Sequence, residues 1–371
     1  MDLKQLRDLI DEVDDKIAQL YMQRLDLVKQ VGEYKKQNDV VVEHSDRENQ
    51  ILDRLANKFG NRTATDYLYN SIMTYSKMEQ NILQANESGF IFEKQTKDIS
   101  CETNVGVAGT TGAYAEKAAK KLFSNVQPKF YKHFCDVFDA VDKGEIKYGI
   151  VPIENSTAGS VNEVYDLLKE YDIKIVGAQR LSVNHCLLGV EGATISDIKK
   201  VYSHPQALYQ CKKFLDANGI EAVEDTNTAV ACERVAKLAD KTVGAIGAES
   251  NAQKNGLQTL KRGVQNAEHN FTRFIVISKQ MTVSPQADRL SLMVSLKHKP
   301  GALFQLLSIL SSFKVDLLKL ESRPIPDKEF EFMFYIDVKC DVFCERTQIM
   351  LACIKAYCET ATILGAYHEV I

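Results

Sequence analysis

The first 86 residues most strongly restrict what this chain of 371 residues can fold into. They contain no proline, and their apolar residues from Leu3 to Tyr34 recur at alternating intervals of three and four. That spacing is typical of one face of an α-helix, so it predicts a helix of more than thirty residues followed by shorter ones. Two short partners cannot cover so long an apolar stripe, and we therefore expect the helix to pair with a second copy.

Polar side chains interrupt the apolar stripes of this region. Arg24 lies on the stripe of the first helix, and Lys35 follows eleven residues later, about 20° away around the helix axis. Both cations should face inwards, where an unpaired charge would cost several kcal/mol. The pattern allows two interpretations: a coiled-coil tether with register-setting polar residues, or a binding site. The polar residues on or near the stripes are Arg7, Arg24, Lys35, Arg47, Glu48, Ser76 and Gln80.

The segments LRDLIDEVDDKI, QRLDLVKQVGEYK and DRENQILDRL, followed by SKMEQ, resemble the all-helical chorismate mutase domain over residues 1–86. The resemblance implies that Arg24 and Arg47 grip the two carboxylates of the substrate and that Arg7 comes from a partner chain. Such clamps suit the chemistry, because a guanidinium binds a carboxylate bidentately. Where the family usually has an acid three residues before Arg47, this chain has His44.

The same resemblance assigns the remaining polar residues. Lys35 and Gln80 would contact the ether oxygen of the breaking bond, and Glu48 and Ser76 would hold hydroxyl or carboxylate groups. The rearrangement of chorismate to prephenate is intramolecular, so it needs the folded conformer and stabilisation of charge on the ether oxygen rather than a nucleophile, a base or a cofactor.

Residues 104–280 repeat one local plan, in which a short β-branched run is followed by small polar residues and an amphipathic helix. The pattern predicts an α/β sheet with helical crossovers. Its strand-to-helix junctions expose backbone N–H groups at helix N-termini, which suits an anionic ligand. The alternative is that Ser203, Asp225 and Asn155 are only helix caps. GTTG lacks the features of a nucleotide-binding loop and the histidines lack ligand spacing, so we expect no cofactor and no metal.

The motifs PIENSTAGSV, SHPQALYQC, DTNTA and NFTRF, in this order, resemble prephenate dehydratase. The resemblance implies two α/β lobes, a site in the cleft between them, and Thr272 as the catalytic residue. Thr272 and Arg273 are neighbours, so both can enter one site only if NFTRF lies partly in the loop before its strand. The first loop has Ala113 and Ala115 where the family prefers hydroxyls. The implied substrate contacts are Asn155, Ser156, Ser203, Gln206, Gln210, Thr226 and Arg273.

Residues 287–371 read as strand, helix, strand, strand, helix, strand, the order of a ferredoxin-like sandwich. GALF at 301–304 and ESRP at 321–324 resemble the ACT domain of phenylalanine-regulated enzymes. The alternative is that Gly301 only opens a helix and that the ESRP charges are exposed strand residues. By the resemblance, phenylalanine would bind between two subunits at Gly301, Ala302, Leu303, Glu321, Ser322, Arg323 and Pro324.

The sequence thus predicts a multidomain protein with a helical domain at 1–86, a linker at 87–103, a two-lobed α/β domain at 104–280 and an α+β domain at 287–371. A net charge of −4 gives no electrostatic reason to expect nucleic acid. The chain has no apolar run long enough to span a bilayer, and its N-terminus lacks the apolar core of a signal peptide, so we expect a cytoplasmic protein.

The expected function is conversion of chorismate to prephenate and then to phenylpyruvate in phenylalanine biosynthesis, with feedback inhibition by phenylalanine. We expect a homodimer or homotetramer. The alternative is a sensor that binds an anionic solute without turnover and dimerises through its N-terminal helices.

Overall fold

A computed structural model describes residues 2–38, 40, 45–85, 92, 99–267, 269–325 and 331–371. His44 and most of the predicted linker lie outside the described residues. Within these ranges, no helix is both long enough and apolar enough to cross a membrane.

The helical region consists of α1 (Leu3–Gln37), α2 (Ser45–Phe59) and α3 (Arg62–Ala85). A capping box starts α1: the Asp2 side chain accepts from the backbone N–H of Gln5 at 2.8 Å, and the Gln5 side chain accepts from that of Asp2 at 3.0 Å. The C-terminal half of α1 packs against α3 so closely that a Cβ at Gly32 would lie 2.9 Å from Leu83 Cδ1. The apolar side chains of its N-terminal half, from Leu3 to Leu20, are 43–64% exposed.

The α/β region forms two lobes that are joined by two crossings of the chain. The first lobe contains β1 (Val105–Ala108), α4 (Tyr114–Leu122), β2 (Lys129–Tyr131), α5 (Phe134–Asp142), β3 (Tyr148–Asn155), β4 (Gly159–Ser160), α6 (Asn162–Glu170) and β5 (Lys174–Ser182). The second lobe contains β6 (Cys186–Gly189), β7 (Lys200–Ser203), α7 (Pro205–Gln210), α8 (Lys212–Ala217), β8 (Glu221–Glu224), α9 (Thr228–Leu238), β9 (Val243–Gly247), α10 (Glu249–Asn255) and β10 (Gln258–Arg262). Strand β11 (Phe271–Ser278) then returns to the first lobe between β3 and β5.

The C-terminal region has the predicted order of six elements and one additional short strand at its end. It contains β12 (Arg289–Ser295), α11 (Ala302–Ser312), β13 (Asp316–Pro324), β14 (Phe332–Lys339), α12 (Glu345–Tyr357), β15 (Thr360–Tyr367) and β16 (Glu369–Val370). Four of these strands form an antiparallel sheet in the order β13-β14-β12-β15. The last strand, β16, leaves this sheet and pairs in parallel with β5 of the first lobe.

The central strands of the sheets in the α/β region are buried on both faces. The first has the order β16-β5-β11-β3-β1-β2, with β4 on β3, and the second has the order β10-β6-β9-β7-β8. In β3 and β11, Ile150, Val151, Ile275, Val276 and Ile277 are fully buried. Continuous apolar runs of this kind, rather than alternating ones, are typical of strands covered by helices on both sides.

Both other regions pack against the C-terminal domain. A Cβ at Gly365 of β15 would lie 2.0 Å from the carbonyl oxygen of Ile175 in β5, so only glycine allows this contact with the first lobe. On another side, α3 lies against α12, and Met78 of α3 is buried in the hydrophobic core of the C-terminal domain. The C-terminal domain therefore touches both the helical region and the α/β region.

Candidate active sites

The first candidate site is a pocket between α1, α2 and α3 with a volume of about 300 Å³. Helical periodicity aims Arg24 and Lys35 of α1 into it, and the mainly apolar floor includes Val28 and Met73. Its polar lining comes from all three helices: Arg24, Lys35, Arg47, Glu48, Ser76, Lys77 and Gln80.

Hydrogen bonds and ion pairs preorganise this pocket. Arg24 Nη1 donates to Ser76 Oγ, which itself donates to the carbonyl oxygen of Ile72 at 2.7 Å. Burial lowers the pKa of Lys35, and the neighbouring Glu48 carboxylate opposes that shift. Gln80 is only 7% exposed, and among the described residues its Oε1 has no hydrogen-bond partner. A buried amide oxygen without a partner at the wall of a pocket is an acceptor that a ligand can satisfy.

Six of the seven polar residues predicted in this region line the one pocket. The exception is Arg7, which lies in the exposed half of α1, about 25 Å along the helix from Arg24 at 1.5 Å per residue. The sequence analysis missed Lys77, whose Nζ lies 3.1 Å from Glu48 Oε2. Lys77 is adjacent to Ser76 in SKMEQ, but no periodicity marks it, because it lies off the apolar stripe.

The second candidate site is a hydrogen-bond network at the ends of β3 and β11. These strands are antiparallel, with Asn155 directly opposite Thr272. Asn155 Nδ2 donates to Thr272 Oγ1 at 2.9 Å and to Asn270 Oδ1 at 2.7 Å. Asn155 Oδ1 accepts from the backbone N–H of Thr157 at 3.1 Å and of Ala158 at 2.9 Å, which fixes its amide group.

Gln210, at the C-terminal end of α7, links the second lobe to this network. Its Nε2 donates to Thr157 Oγ1 at 2.7 Å, and its Oε1 accepts from Asn270 Nδ2 at 3.1 Å. Nε2 of His185 lies 3.0 Å from the same Oε1. Burial lowers the pKa of His185, which favours a neutral ring that donates from Nε2 to Gln210. The network therefore spans the two lobes at the point where the chain crosses between them.

Thr272 contributes a hydroxyl group to this network. Its oxygen accepts from Asn155, and within the described chain its hydroxyl hydrogen has no assigned acceptor. A hydroxyl that accepts a hydrogen bond becomes a better donor, because the bonds polarise one another. The hydrogen bond from Asn155 therefore polarises the hydroxyl group of Thr272.

Arg273 does not belong to this site, and the prediction that it contacts substrate is wrong. Strand β11 already begins at Phe271, so Thr272 and Arg273 point to opposite faces. Arg273 is 5% exposed, its Nη1 lies 2.6 Å from Asp337 Oδ2, and its Nη2 donates to Tyr367 Oη at 2.6 Å. These partners lie in the C-terminal domain.

The structure places the other predicted dehydratase residues in different environments. Ser203 is fully buried and donates to the carbonyl oxygen of Ile246 at 2.6 Å, so it does not face a cleft. Ser156 Oγ accepts from the backbone N–H of Phe271 at 2.9 Å and ties the ends of β3 and β11 together. Gln206 is exposed in the first turn of α7, and Thr226 is exposed two residues after the end of β8.

The helix-cap alternative fails for the three residues to which it was applied. The N-cap residue of α7 is His204 and that of α9 is Asn227, rather than Ser203 and Asp225. Asn155 precedes β4 and takes part in the network instead of capping a helix.

Three network residues are not among the site residues predicted from the sequence. Thr157 and Asn270 lie inside the motifs PIENSTAGSV and NFTRF, so their position in those motifs was an available signal. His185 lies outside them, and a single histidine beside a buried strand gives no signal of its own.

The residues predicted to bind an effector lie on β13 and at the start of α11. Gly301 has a φ of +78°, which requires glycine at the helix start. Arg323 makes a bidentate pair with Asp166 of α6, at 2.6 and 3.1 Å, and Glu321 accepts from Ser160 Oγ of β4. The interpretation of Glu321 and Arg323 as merely exposed charges is therefore wrong, because both contact the first lobe.

A helical pocket lined by cations and a two-lobed domain with a polarised hydroxyl define a two-site enzyme for small carboxylate substrates. The family model for chorismate mutase type II matches residues 6–81, and that for prephenate dehydratase matches residues 105–282. The bifunctional chorismate mutase/prephenate dehydratase of Escherichia coli K12 is 33% identical over 98% of this chain and 95% of its own length. The chain therefore belongs to the bifunctional chorismate mutase/prephenate dehydratase family, and it catalyses both reactions in phenylalanine biosynthesis.

Two solved structures resemble a large part of this chain. Prephenate dehydratase from Arthrobacter aurescens in complex with L-Phe is 25% identical, with a TM-score of 0.65 over 71% of this chain and 89% of its own. A protein described as a novel type of quorum quenching acylase is 29% identical, with a TM-score of 0.65 over 72% of this chain and 98% of its own.

Proposed function

We propose that chorismate binds in the pocket between α1, α2 and α3, and the convergence of Arg24, Lys35, Arg47 and Gln80 on one cavity carries this proposal. Arg24 and Arg47 would hold the substrate carboxylates and so select the folded conformer that rearranges. Lys35 and Gln80 would donate to the ether oxygen as its bond to carbon breaks and negative charge develops there. Glu48 and Ser76 would hold the remaining hydroxyl or carboxylate groups.

This pocket would be completed by a second copy of the chain. Arg7 lies far from the pocket of its own chain, and the apolar residues around it are exposed from Leu3 to Leu20. Pairing of two α1 helices would bury these apolar residues and bring Arg7 to the partner's pocket. The proposed assembly is therefore a homodimer or a tetramer built from such dimers.

The proposed dehydratase site is the network around Thr272. Prephenate takes up one proton and yields phenylpyruvate, carbon dioxide and water: the bond from the ring to the carboxylate carbon breaks, its electrons complete the aromatic ring, and the hydroxyl at C4 leaves. The hydroxyl of Thr272, polarised by Asn155, would donate to that leaving oxygen. Gln210 and Asn270 would hold the two lobes in the geometry that places the substrate.

The test of both assignments is to supply chorismate and follow prephenate and phenylpyruvate separately. Thr272→Ala should abolish phenylpyruvate formation and leave prephenate formation from chorismate intact. Lys35→Ala should abolish prephenate formation from chorismate, but it should still form phenylpyruvate when prephenate is supplied. Thr272→Ser, which keeps a hydroxyl, is the matched control and should retain part of the dehydratase rate. Equal loss of both reactions in Thr272→Ala would contradict the separation of the two sites.

The C-terminal domain is, in this proposal, a ferredoxin-like ACT domain that binds phenylalanine and inhibits the dehydratase. Its βαββαβ order supports this, as does the L-Phe complex described for the Arthrobacter enzyme. The expected effector residues are Gly301, Ala302, Leu303, Glu321, Ser322, Arg323 and Pro324. If phenylalanine changed neither the dehydratase rate nor the apparent thermal stability, this regulatory role would be wrong.

A further inference from the structure

The two strands that carry the dehydratase network present a second set of polar side chains on their opposite face. In the register of β3 and β11, Thr272 faces Asn155, and the next pair is Arg273 with Glu154. Successive strand residues point to opposite faces, so Arg273 and Glu154 lie directly behind the network. The register shifts immediately after Arg273, and irregularities of this kind commonly re-aim side chains beside active sites.

Four strands of the C-terminal domain, β13 to β16, contact this rear face. Asp337 of β14 lies 2.6 Å from Arg273 Nη1, and Tyr367 of β15 accepts from Arg273 Nη2 at 2.6 Å. Glu154 accepts one contact from Arg273 Nη1 at 3.3 Å and another from Lys319 Nζ of β13 at 3.3 Å. The C-terminal domain is thus bonded to both strands of the network, at the residue next to each network member.

The cluster is enclosed, and Arg273 Nε, which has no hydrogen-bond partner among the described residues, lies 3.8 Å from Glu369 Oε1 of β16. Tyr367 is fully buried and Arg273 is 5% exposed. Asp337 accepts a further hydrogen bond from Ser291 Oγ, and Ser291 and Tyr367 Oη lie 2.8 Å apart. Burial works to lower the pKa of Arg273, but its acidic neighbours outweigh it and raise the pKa, so the guanidinium stays charged. A buried charge with several fixed partners has one favourable geometry, so it holds the backbone that carries it.

We propose that Arg273 is a positioning residue for the dehydratase reaction. Asp337 and Tyr367 hold its guanidinium, and this fixes the end of β11 so that Thr272 stays within hydrogen-bond distance of Asn155. The inference rests on the proposed role of Thr272. Because Arg273 lies outside the substrate cleft, its loss acts on turnover rather than on substrate affinity.

The test uses the full chain with Asp337→Asn, which keeps the shape of the side chain and removes its charge. We expect kcat for prephenate to fall at least tenfold, with KM within twofold, since a displacement of about 1 Å can cost roughly a hundredfold in rate. Arg273→Gln should behave in the same way, and Arg273→Lys, which keeps the charge, should lose less. The mutase rate of each preparation reports that the chain has folded.

Asp166→Asn is the matched control, because it makes the same change as Asp337→Asn in another ion pair with the C-terminal domain. Asp166 of α6 accepts from Arg323 at 2.6 and 3.1 Å, and α6 carries no side chain of the Thr272 network among the described residues. Measured without phenylalanine, this variant should keep kcat within twofold. If Asp166→Asn and Asp337→Asn lowered kcat equally, the cluster would only hold the domains together, and a positioning role for Arg273 would be refuted.

Two further variants complete the test of the positioning role. If Asp337→Asn does not fold, Lys319→Met at the more exposed rim of the cluster should still lower kcat at least threefold with KM unchanged, and an unaltered kcat overturns the inference. Thr272→Ala distinguishes failure of the proposed dehydratase site from failure of the positioning role. An active Thr272→Ala refutes the proposed site itself, whereas an inactive Thr272→Ala beside a fully active Asp337→Asn refutes only the positioning role.

Discussion

Replacing Asn155 by aspartate should separate the dehydratase from the mutase. Asn155 Nδ2 donates to Thr272 Oγ1 at 2.9 Å, to Asn270 Oδ1 at 2.7 Å and to the carbonyl oxygen of Phe271 at 3.1 Å. In Asn155→Asp a second carboxylate oxygen takes the place of this donor, with almost no change in volume. The hydroxyl of Thr272 would then donate to that carboxylate instead of to the substrate.

The magnitude follows from the lost donor. Removing one preorganised donor from an active site typically lowers kcat by about 10²–10³, or roughly 3–4 kcal/mol of transition-state stabilisation. Asn155 is 9% exposed, so Asn270 Oδ1 loses its 2.7 Å donor inside the protein and faces a carboxylate instead, which should lower the free energy of unfolding by about 1–3 kcal/mol. The decrease in dehydratase rate should therefore be larger than the decrease caused by unfolding of part of the protein.

The assay follows phenylpyruvate formed from prephenate, with the mutase rate of the same preparation as the internal reference. Asn218→Asp is the matched control, since Asn218 is an exposed amide that donates to the carbonyl oxygen of Phe214 in α8, away from the network. It should leave both rates unchanged. A dehydratase kcat of Asn155→Asp within threefold of the parent chain would refute the role of Asn155 as the polarising donor.

Three further predictions concern the pocket, the assembly and the core. Because burial lowers the pKa of Lys35, the alkaline decrease in mutase kcat/KM should occur below the ordinary lysine pKa of about 10.4 in a pH–rate profile. Glu48→Gln removes the carboxylate that opposes this shift, so it should move the alkaline decrease to still lower pH. Ile10→Asp with Ile17→Asp should convert the oligomer to a monomer in light scattering and abolish mutase activity; persistence of the oligomer would exclude α1 as the interface. Phe138→Ala, at a fully buried position, should lower the free energy of unfolding by about 3–5 kcal/mol in urea titrations.

Much of the helical site was predictable because helix geometry is local. The spacing of Arg24 and Lys35 fixes their relative direction on α1 whatever surrounds them, and both line the same pocket. The alternation of strands and helices in the α/β region was predictable for the same reason. Only the motif resemblance placed Thr272 and Asn155 in one site, because no periodicity links residues that are 117 positions apart.

The direction of the Arg273 side chain could not be predicted from periodicity. It depends on the residue at which β11 begins, on a register shift, and on a carboxylate 64 positions away in another domain. Gln210 and His185 likewise join the network only because the chain crosses twice between the lobes. Periodicity reports which residues share a face of one element, whereas cross-strand register and domain contacts are set by packing between distant segments.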